Sequence, residues 1–167
     1  MLSFDLRSVE AKAAQVDAEL APNDSVWQHG DQVPAAPLRV TGRLSSAGSW
    51  GFVWHGRLEG AVVMPCRRCL TDVSAKVQDD AYVIFAEAGS DETDDPDVYV
   101  LSERSNQLDL KPAVREQWLL NVPTVALCRD DCKGMCPKCG KNLNDGPCDC
   151  AQTGDSRWDA LRKVETK

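Results

Sequence analysis

The sequence predicts an α+β protein: mainly an antiparallel β meander or partly closed barrel, with flanking helices and a cysteine-rich tail. Three observations carry that reading. Apolar and polar residues alternate with period two through much of 38–85. Two stretches, 8–20 and 112–121, instead space their apolar residues as a helix does. Finally, six of the eight cysteines fall between Cys128 and Cys150, where Met135 and Leu143 are the only large apolar residues. Packing alone cannot hold that last segment in one shape, so its sulfurs must be tied together.

In the first stretch, Val9, Ala13, Val16 and Leu20 fall on one face of a helix, with Ser8 as N-cap and Pro22 ending the run. The polar face has no basic bias, so this helix covers a sheet rather than binding a membrane. A polar linker follows to Pro37. Leu38, Val40, Gly42 and Leu44 then alternate with Arg39, Thr41 and Arg43, and a turn over 45–49 leads into a partner strand of Phe52, Trp54 and Leu58. Ala61 to Met64 continue the sheet. Val73, Ala75 and Val77 form a further strand, and Tyr82 to Phe85 a more buried one. The stretch from Ala86 to Pro96 is acidic and poor in apolar residues, which predicts a solvated loop. Val98 to Leu101 and Leu108 to Leu110 read as short returning strands. Asp109 caps a helix over 112–121 that carries Val114 and Trp118, and Pro123 stops it. A last short helix is expected over 155–163, with Ser156 and Asp159 in a capping-box pattern and Trp158 and Leu161 on one face. The composition changes near residue 125, dividing the chain into a β-rich core domain, 1–125, and a cysteine-rich module, 126–167.

The 167 residues suffice for one real core, and the mean hydropathy of −0.37 belongs to a soluble chain. No basic flank precedes an apolar run near Met1, so neither a signal peptide nor a membrane span is expected, and the expected compartment is a reducing cytoplasm. There cysteines favour metal over disulfide. The net charge of −7 is uneven. Residues 79–97 hold eight acidic side chains and no basic one, whereas 38–78 hold six basic against two acidic. A whole-surface electrostatic grip on nucleic acid is excluded by that balance, and RNA contact would have to be local.

Cys136-Pro137-Lys138-Cys139-Gly140 is a zinc-knuckle sequence. Two cysteines three apart let one tight turn aim both sulfurs at a tetrahedral ion. The proline fixes a backbone angle, and the glycine permits the left-handed turn that points amide hydrogens at sulfur. Cys148 and Cys150 supply the other half of this first zinc site. Cys66-Arg67-Arg68-Cys69 is a second such turn, and Cys128 and Cys132 are one helical turn apart. Two groupings remain open. In one, Cys66, Cys69, Cys128 and Cys132 form a second zinc site; in the other, Cys128 or Cys132 joins the tail site and Cys66 and Cys69 stay a free pair. One Zn2+ is expected and a second is allowed. Four sulfurs leave no open coordination position, so the zinc is structural.

Nothing else suggests catalysis. His29 lies in the linker and His55 on a polar strand face, and the phosphate-loop, nucleophile-elbow and His-Glu-x-x-His motifs are missing. No enzyme activity and no small-molecule substrate are expected. Trp54 and Trp118 belong to the core. Arg39, Arg43 and Arg57 on polar strand faces, with Arg67 and Arg68 in the first knuckle, form either a solvated face or a small phosphate-binding patch for RNA or another partner.

Cys66-Arg67-Arg68-Cys69-Leu70 after a β-rich half resembles the YceD-like family, also called DUF177 or the large ribosomal RNA subunit accumulation proteins. The tail from Cys128 through Asp131-Cys132-Lys133-Gly134-Met135-Cys136, Cys139-Gly140, Asn142-Leu143-Asn144 and Cys148-Asp149-Cys150 is similar to its cysteine-rich branch, as is the close, Asp155-Ser156-Arg157-Trp158 with Leu161. The resemblance implies a bacterial or plastid-type factor for 23S ribosomal RNA accumulation that acts in large-subunit assembly without catalysis. Its partner would be a large-subunit precursor, met through 23S rRNA, a basic ribosomal protein, or both. Some members lack the tail yet keep the first pair, which leaves both cysteine groupings open. Two rival readings stand beside this one: a thiol/zinc redox switch with Arg67 and Arg68 beside its sulfurs, and an acidic holding protein that shields a basic ribosomal protein through residues 79–97.

Overall fold

A five-stranded open sheet, in the order β2-β3-β4-β5-β6, organises the molecule in a computed structural model that describes residues 1–89, 95–101 and 106–150. In chain order the elements are β1 (Ser3–Asp5), α1 (Leu6–Ala11), β2 (Ala14–Leu20), β3 (Leu38–Ser46), β4 (Gly51–Pro65), β5 (Asp72–Glu87), β6 (Val98–Leu101), β7 (Gln107–Asp109) and α2 (Lys111–Asn121). β2 to β5 are antiparallel neighbours, and β6 joins β5 in parallel. β1 and β7 pair separately as a two-stranded ribbon. The sheet has two ends among the described residues, so β2 to β5 form the expected antiparallel meander and not a partly closed barrel.

The alternation read from the sequence maps onto the two sheet faces. Val40, Leu44, Trp54, Leu58, Val77 and Val83 are buried on one face, while Arg39, Arg43, His55, Arg57, Asp80 and Tyr82 are exposed on the other. Ala61 to Met64 do continue β4. The segments around 73–77 and 82–85 prove to be one sixteen-residue strand, β5, in register with all of β4 from Gly51 to Pro65. Two glycines meet at the centre of this sheet: Gly42 of β3 pairs Gly56 of β4. A β-carbon on Gly56 would lie 2.4 Å from the Trp54 ring and 2.3 Å from the Thr41 carbonyl. Hydrogen at that position is what lets the buried indole lie along its own strand.

The helix expected over 8–20 is corrected. Only Leu6–Ala11 is helical, capped by the Asp5 carboxylate, which accepts from the Ser8 backbone N–H at 2.9 Å. Residues 14–20 form β2, with Val16, Ala18 and Leu20 buried and Gln15, Asp17 and Glu19 exposed. The same residues satisfy both periods, and seven paired positions against β3 outweigh the helix preference of Ala, Glu and Leu.

The core face is covered by α2, α1 and the segment between β2 and β3. Ala113, Val114 and Trp118 of α2 are fully buried. The Trp118 indole donates to the Gln32 carbonyl at 2.7 Å, and Trp27 donates to the Ala21 carbonyl at 2.8 Å. Two ion pairs strap the 21–37 segment to the helix: Lys111 to Asp24 at 2.8 Å, and Arg115 to Asp31 through two bonds of 2.7 and 2.8 Å. The helix starts one residue earlier than expected. Leu110 is its N-cap, while Asp109 accepts from the Lys111 N–H at 3.0 Å. The expected acidic loop begins later than Ala86, because β5 runs on to Glu87. Its acidic residues 91, 92 and 94, like the expected helix over 155–163, lie outside the described residues. No helix among the described residues is long and apolar enough to cross a membrane.

Candidate metal centres

Two turns of the same construction present the cysteine pairs. In the first, between β4 and β5, the Leu70 N–H donates to the Cys66 carbonyl at 2.9 Å and the Cys66 N–H to the Thr71 carbonyl at 2.8 Å. In the second, Gly140 donates to Cys136 and Cys136 to Lys141, each at 2.9 Å. The residue after the second cysteine is left-handed in both, with φ of 59° at Leu70 and 71° at Gly140. Glycine adopts that conformation freely, whereas leucine does so at a cost of about 1–2 kcal/mol. The first turn is thus held against the preference of its own sequence by what surrounds it.

The structure displays the eight cysteines as two groups of four: Cys66, Cys69, Cys128 and Cys132, and Cys136, Cys139, Cys148 and Cys150. Within each, all four sulfurs lie within 4.8 Å of one another. Cys66 and Cys132 are 3.9 Å apart, sulfur to sulfur, and Cys69 and Cys128 are 3.6 Å apart. A disulfide needs about 2.05 Å. Four thiolates at about 2.3 Å from a tetrahedral zinc are about 3.8 Å from each other. The spacing matches a metal-centred group of four and is longer than a disulfide, and all eight cysteines are free.

The first group ties the tail to the sheet. Cys66, Cys69 and Cys132 are buried and Cys128 is exposed. Ala126 forms a parallel bridge with Cys66, and the Arg67 N–H donates to the Ala126 carbonyl at 2.8 Å. The Arg68 guanidinium donates to the carbonyls of Asp130 and Cys132 at 3.1 and 3.0 Å, holding the loop that carries the last cysteine of the group. Amides surround the sulfurs. Those of Arg68 and Cys128 donate to Cys66 at 3.5 and 3.3 Å, and the Asn144 side chain donates to Cys132 at 3.3 Å.

These donors set the acidity of the thiols. The Cys66 pKa falls to about 6, first through the Cys69 N–H and then those of Arg68 and Cys128. The Cys136 pKa also falls to about 6, through the N–H groups of Cys139 and Lys138. Asn144 lowers that of Cys132. Cys128 and Cys150 are pushed up to about 12, chiefly by hydrogen bonding to Cys132 and Cys139 respectively. A bare four-sulfur group keeps part of its protons because thiolates repel; a dication at the centre favours all four as thiolates.

The groups touch. The Met135 N–H donates to the Arg68 carbonyl at 3.0 Å, and the Leu143 N–H to the Gly134 carbonyl at 2.8 Å. Asn144 sits in the tail-site loop yet bonds a sulfur of the other group, while its Oδ1 accepts from the Lys133 N–H at 2.8 Å. Turn chemistry was the visible signal at Asn144, and nothing in the sequence marks its reach to Cys132.

Arg39, Arg43 and Arg57 share the exposed face of the sheet, with Arg57 in register with Thr41 between the other two. Arg57 is bidentate on Asp80 at 2.7 and 3.0 Å, and Arg39 stands 3.7 Å from Asp17. Arg43 lies between Gln15 and His55 in register on the same exposed face. Arg68 turns inward to the tail, and Arg67 is exposed in the first knuckle.

A family model described as large ribosomal RNA subunit accumulation protein YceD matches residues 54–165. An uncharacterized protein of Mycobacterium tuberculosis (strain ATCC 25618 / H37Rv) is 32% identical over 162 residues, covering 95% of this chain and 72% of its own. The uncharacterized protein YlbN of Bacillus subtilis (strain 168) is 26% identical over 143 residues, covering 83% and 80%. A chloroplastic protein of Arabidopsis thaliana, named large ribosomal RNA subunit accumulation protein YCED homolog 1, is 41% identical over 46 residues, which is 28% of this chain and 14% of the plant protein. No solved structure matches the chain.

Proposed function

The chain belongs to the YceD family of large ribosomal RNA subunit accumulation proteins, and on that premise we propose that it is a non-enzymatic, cytoplasmic factor in large-subunit assembly whose docking module is shaped by two structural zinc ions. The observation that carries the zinc reading is the pair of four-sulfur groups, each within 4.8 Å. Cys66, Cys69, Cys128 and Cys132 would hold one ion, and Cys136, Cys139, Cys148 and Cys150 the other. Zinc supplies folding free energy in such a set and keeps no position open for water or substrate, which supports scaffolding over catalysis. The partner is a large-subunit precursor, reached through 23S rRNA, a basic ribosomal protein, or both. Of the five sheet and knuckle arginines, Arg43 and Arg67 have no salt bridge or carbonyl clamp among the described residues, and they are the local RNA contacts this reading favours.

Sedimentation of a cell lysate on a sucrose gradient, probed for this protein, tests the proposal. Cosedimentation with large-subunit precursors, and lowered 23S rRNA on depletion, are expected. Absence from precursor fractions together with unchanged 23S rRNA would reject it.

The redox reading has one observation in its favour: Cys128 and Cys139 are exposed, one in each group, so an oxidant can reach both sites. Zinc release under mild peroxide supports that reading, and full retention of both ions rules it out.

A further inference from the structure

β5 is sixteen residues long, but β6 covers only Ile84 to Glu87 of its outer edge. Residues 72–83 thus present a twelve-residue strand edge with no partner strand among the described residues, about 40 Å of backbone. No proline or glycine interrupts it. An unpaired edge of this length is a template for another extended chain.

The edge runs into a groove. In line with β6, a hollow of about 560 Å³ opens where that strand begins, lined by Tyr82, Val83, Asp97, Val98, Glu116 and Leu120 among others. Its lining mixes apolar side chains, among them Val83, Val98 and Leu120, with the carboxylates of Asp97 and Glu116, and no lysine or arginine lines it. Leu120 is 71% exposed and Tyr82 is 63% exposed, so both are open to a partner at this hollow. Asp72 and Asp79 lie along the strand from Tyr82 with Lys76 between them, while Asp80 is already paired with Arg57.

We propose that the free edge of β5 and the groove at its end bind an extended basic segment of a partner protein, which adds to the sheet as a strand beside residues 72–83. Charge selects the occupant. A second copy of this chain would bring the carboxylates of Asp72, Asp79, Asp97 and Glu116, set against Lys76 alone, toward a molecule of net charge −7. RNA would meet the same carboxylates. A lysine- or arginine-bearing strand satisfies both the backbone edge and these carboxylates, and its cations can also stack on the exposed Tyr82 ring. The proposal stands on the edge and its charge, and holds for a basic partner whether or not that partner is ribosomal.

The test uses the zinc-loaded full chain and a twelve-residue peptide alternating lysine with valine, with deuterium uptake followed over residues 72–83. Slower uptake there is expected, with binding that weakens as salt rises. A peptide alternating glutamate with valine should leave uptake unchanged. The double variant D97K/L120K, altered only at exposed positions, should bind the basic peptide at least tenfold more weakly while melting at the same temperature. No slowing with the basic peptide, or equal slowing with both, overturns the proposal. Protection of 72–83 that instead grows with protein concentration gives the edge to a second copy, and stronger protection by a single-stranded RNA oligonucleotide gives it to nucleic acid. Either result also overturns it.

Discussion

Cys66 and Cys132 stand 66 positions apart in the chain, and their sulfurs stand 3.9 Å apart in space. One belongs to the end of a long hairpin and the other to a loop with almost no apolar content. That pairing makes the tail an extension of the sheet rather than an appendage.

Metal analysis of the purified chain should therefore give two zinc ions per molecule. Cys132→Ser should lower this to about one, because the tail site keeps its own four sulfurs, and Cys136→Ser should do the same from the other side. A count of two retained in either variant, measured by native mass spectrometry, would contradict the grouping.

Asn144→Ala is expected to weaken zinc at the sheet site, although Asn144 lies in the tail-site loop. Donors to metal-bound sulfur typically contribute about 10–100-fold in affinity. Competition with a chelating dye, carried out in a Cys136→Ser background so that one site reports, isolates the effect. An unchanged affinity would show the Asn144–Cys132 bond to be incidental.

The two knuckles should respond oppositely to exchange of their left-handed residue. Gly140→Leu should destabilise its turn by about 1–2 kcal/mol, the cost of that conformation for a branched side chain. Leu70→Gly relieves a similar cost but adds about 0.5–1 kcal/mol of unfolded-state freedom, so its net effect is small and stabilising. Denaturant midpoints of the zinc-loaded variants check both signs.

Gly56→Ala should cost about 1–3 kcal/mol, because the added carbon must displace the Trp54 indole or the β3 backbone. Chemical unfolding monitored by tryptophan fluorescence measures it. A loss under 0.5 kcal/mol would mean the sheet yields there more easily than its packing implies.

Acid should loosen the strap between the 21–37 segment and α2. Asp24 is held below its ordinary 3.8 first by Lys111, and Asp31 first by Arg115. A carboxylate lowered in the folded state contributes stability that is complete above its unfolded pKa and disappears as pH falls through its folded one. The strap therefore contributes fully above about pH 4 and loses that contribution progressively as pH falls from there through the lowered folded values. Asp31→Asn should flatten the acid limb of the stability curve below about pH 4 and lower the plateau at neutral pH; a parallel curve would exclude Asp31 from the acid transition.

Much of the sheet was legible because one face is core and the other is solvent, so Leu38 to Leu44 and Phe52 to Leu58 alternate as they do in the structure. Residues 14–20 are ambiguous in the sequence because Val16 and Leu20 suit a helix and a strand equally; only pairing with β3 decides. Ring closure is set by which strands meet, and no local pattern encodes that β1 pairs β7 outside the main sheet. The knuckles were legible as pairs, since the chemistry of Cys-x-x-Cys is local. How the pairs combine depends on the path of α2 and the following loop, which carry Cys128 to a hairpin end 62 residues earlier.

That separation bears on the order of events during folding. The sheet site cannot be completed until β5, β6 and α2 have been made and placed, because Cys128 and Cys132 follow all three in the chain. The tail site needs only fifteen residues, from Cys136 to Cys150. Local closures form fast and distant ones slowly, so the tail ion should enter first and the sheet ion last, as a latch that shuts only on a correctly assembled hairpin. Zinc uptake by refolding chains, followed in stopped flow, would show these as two phases, the slower one absent from Cys132→Ser.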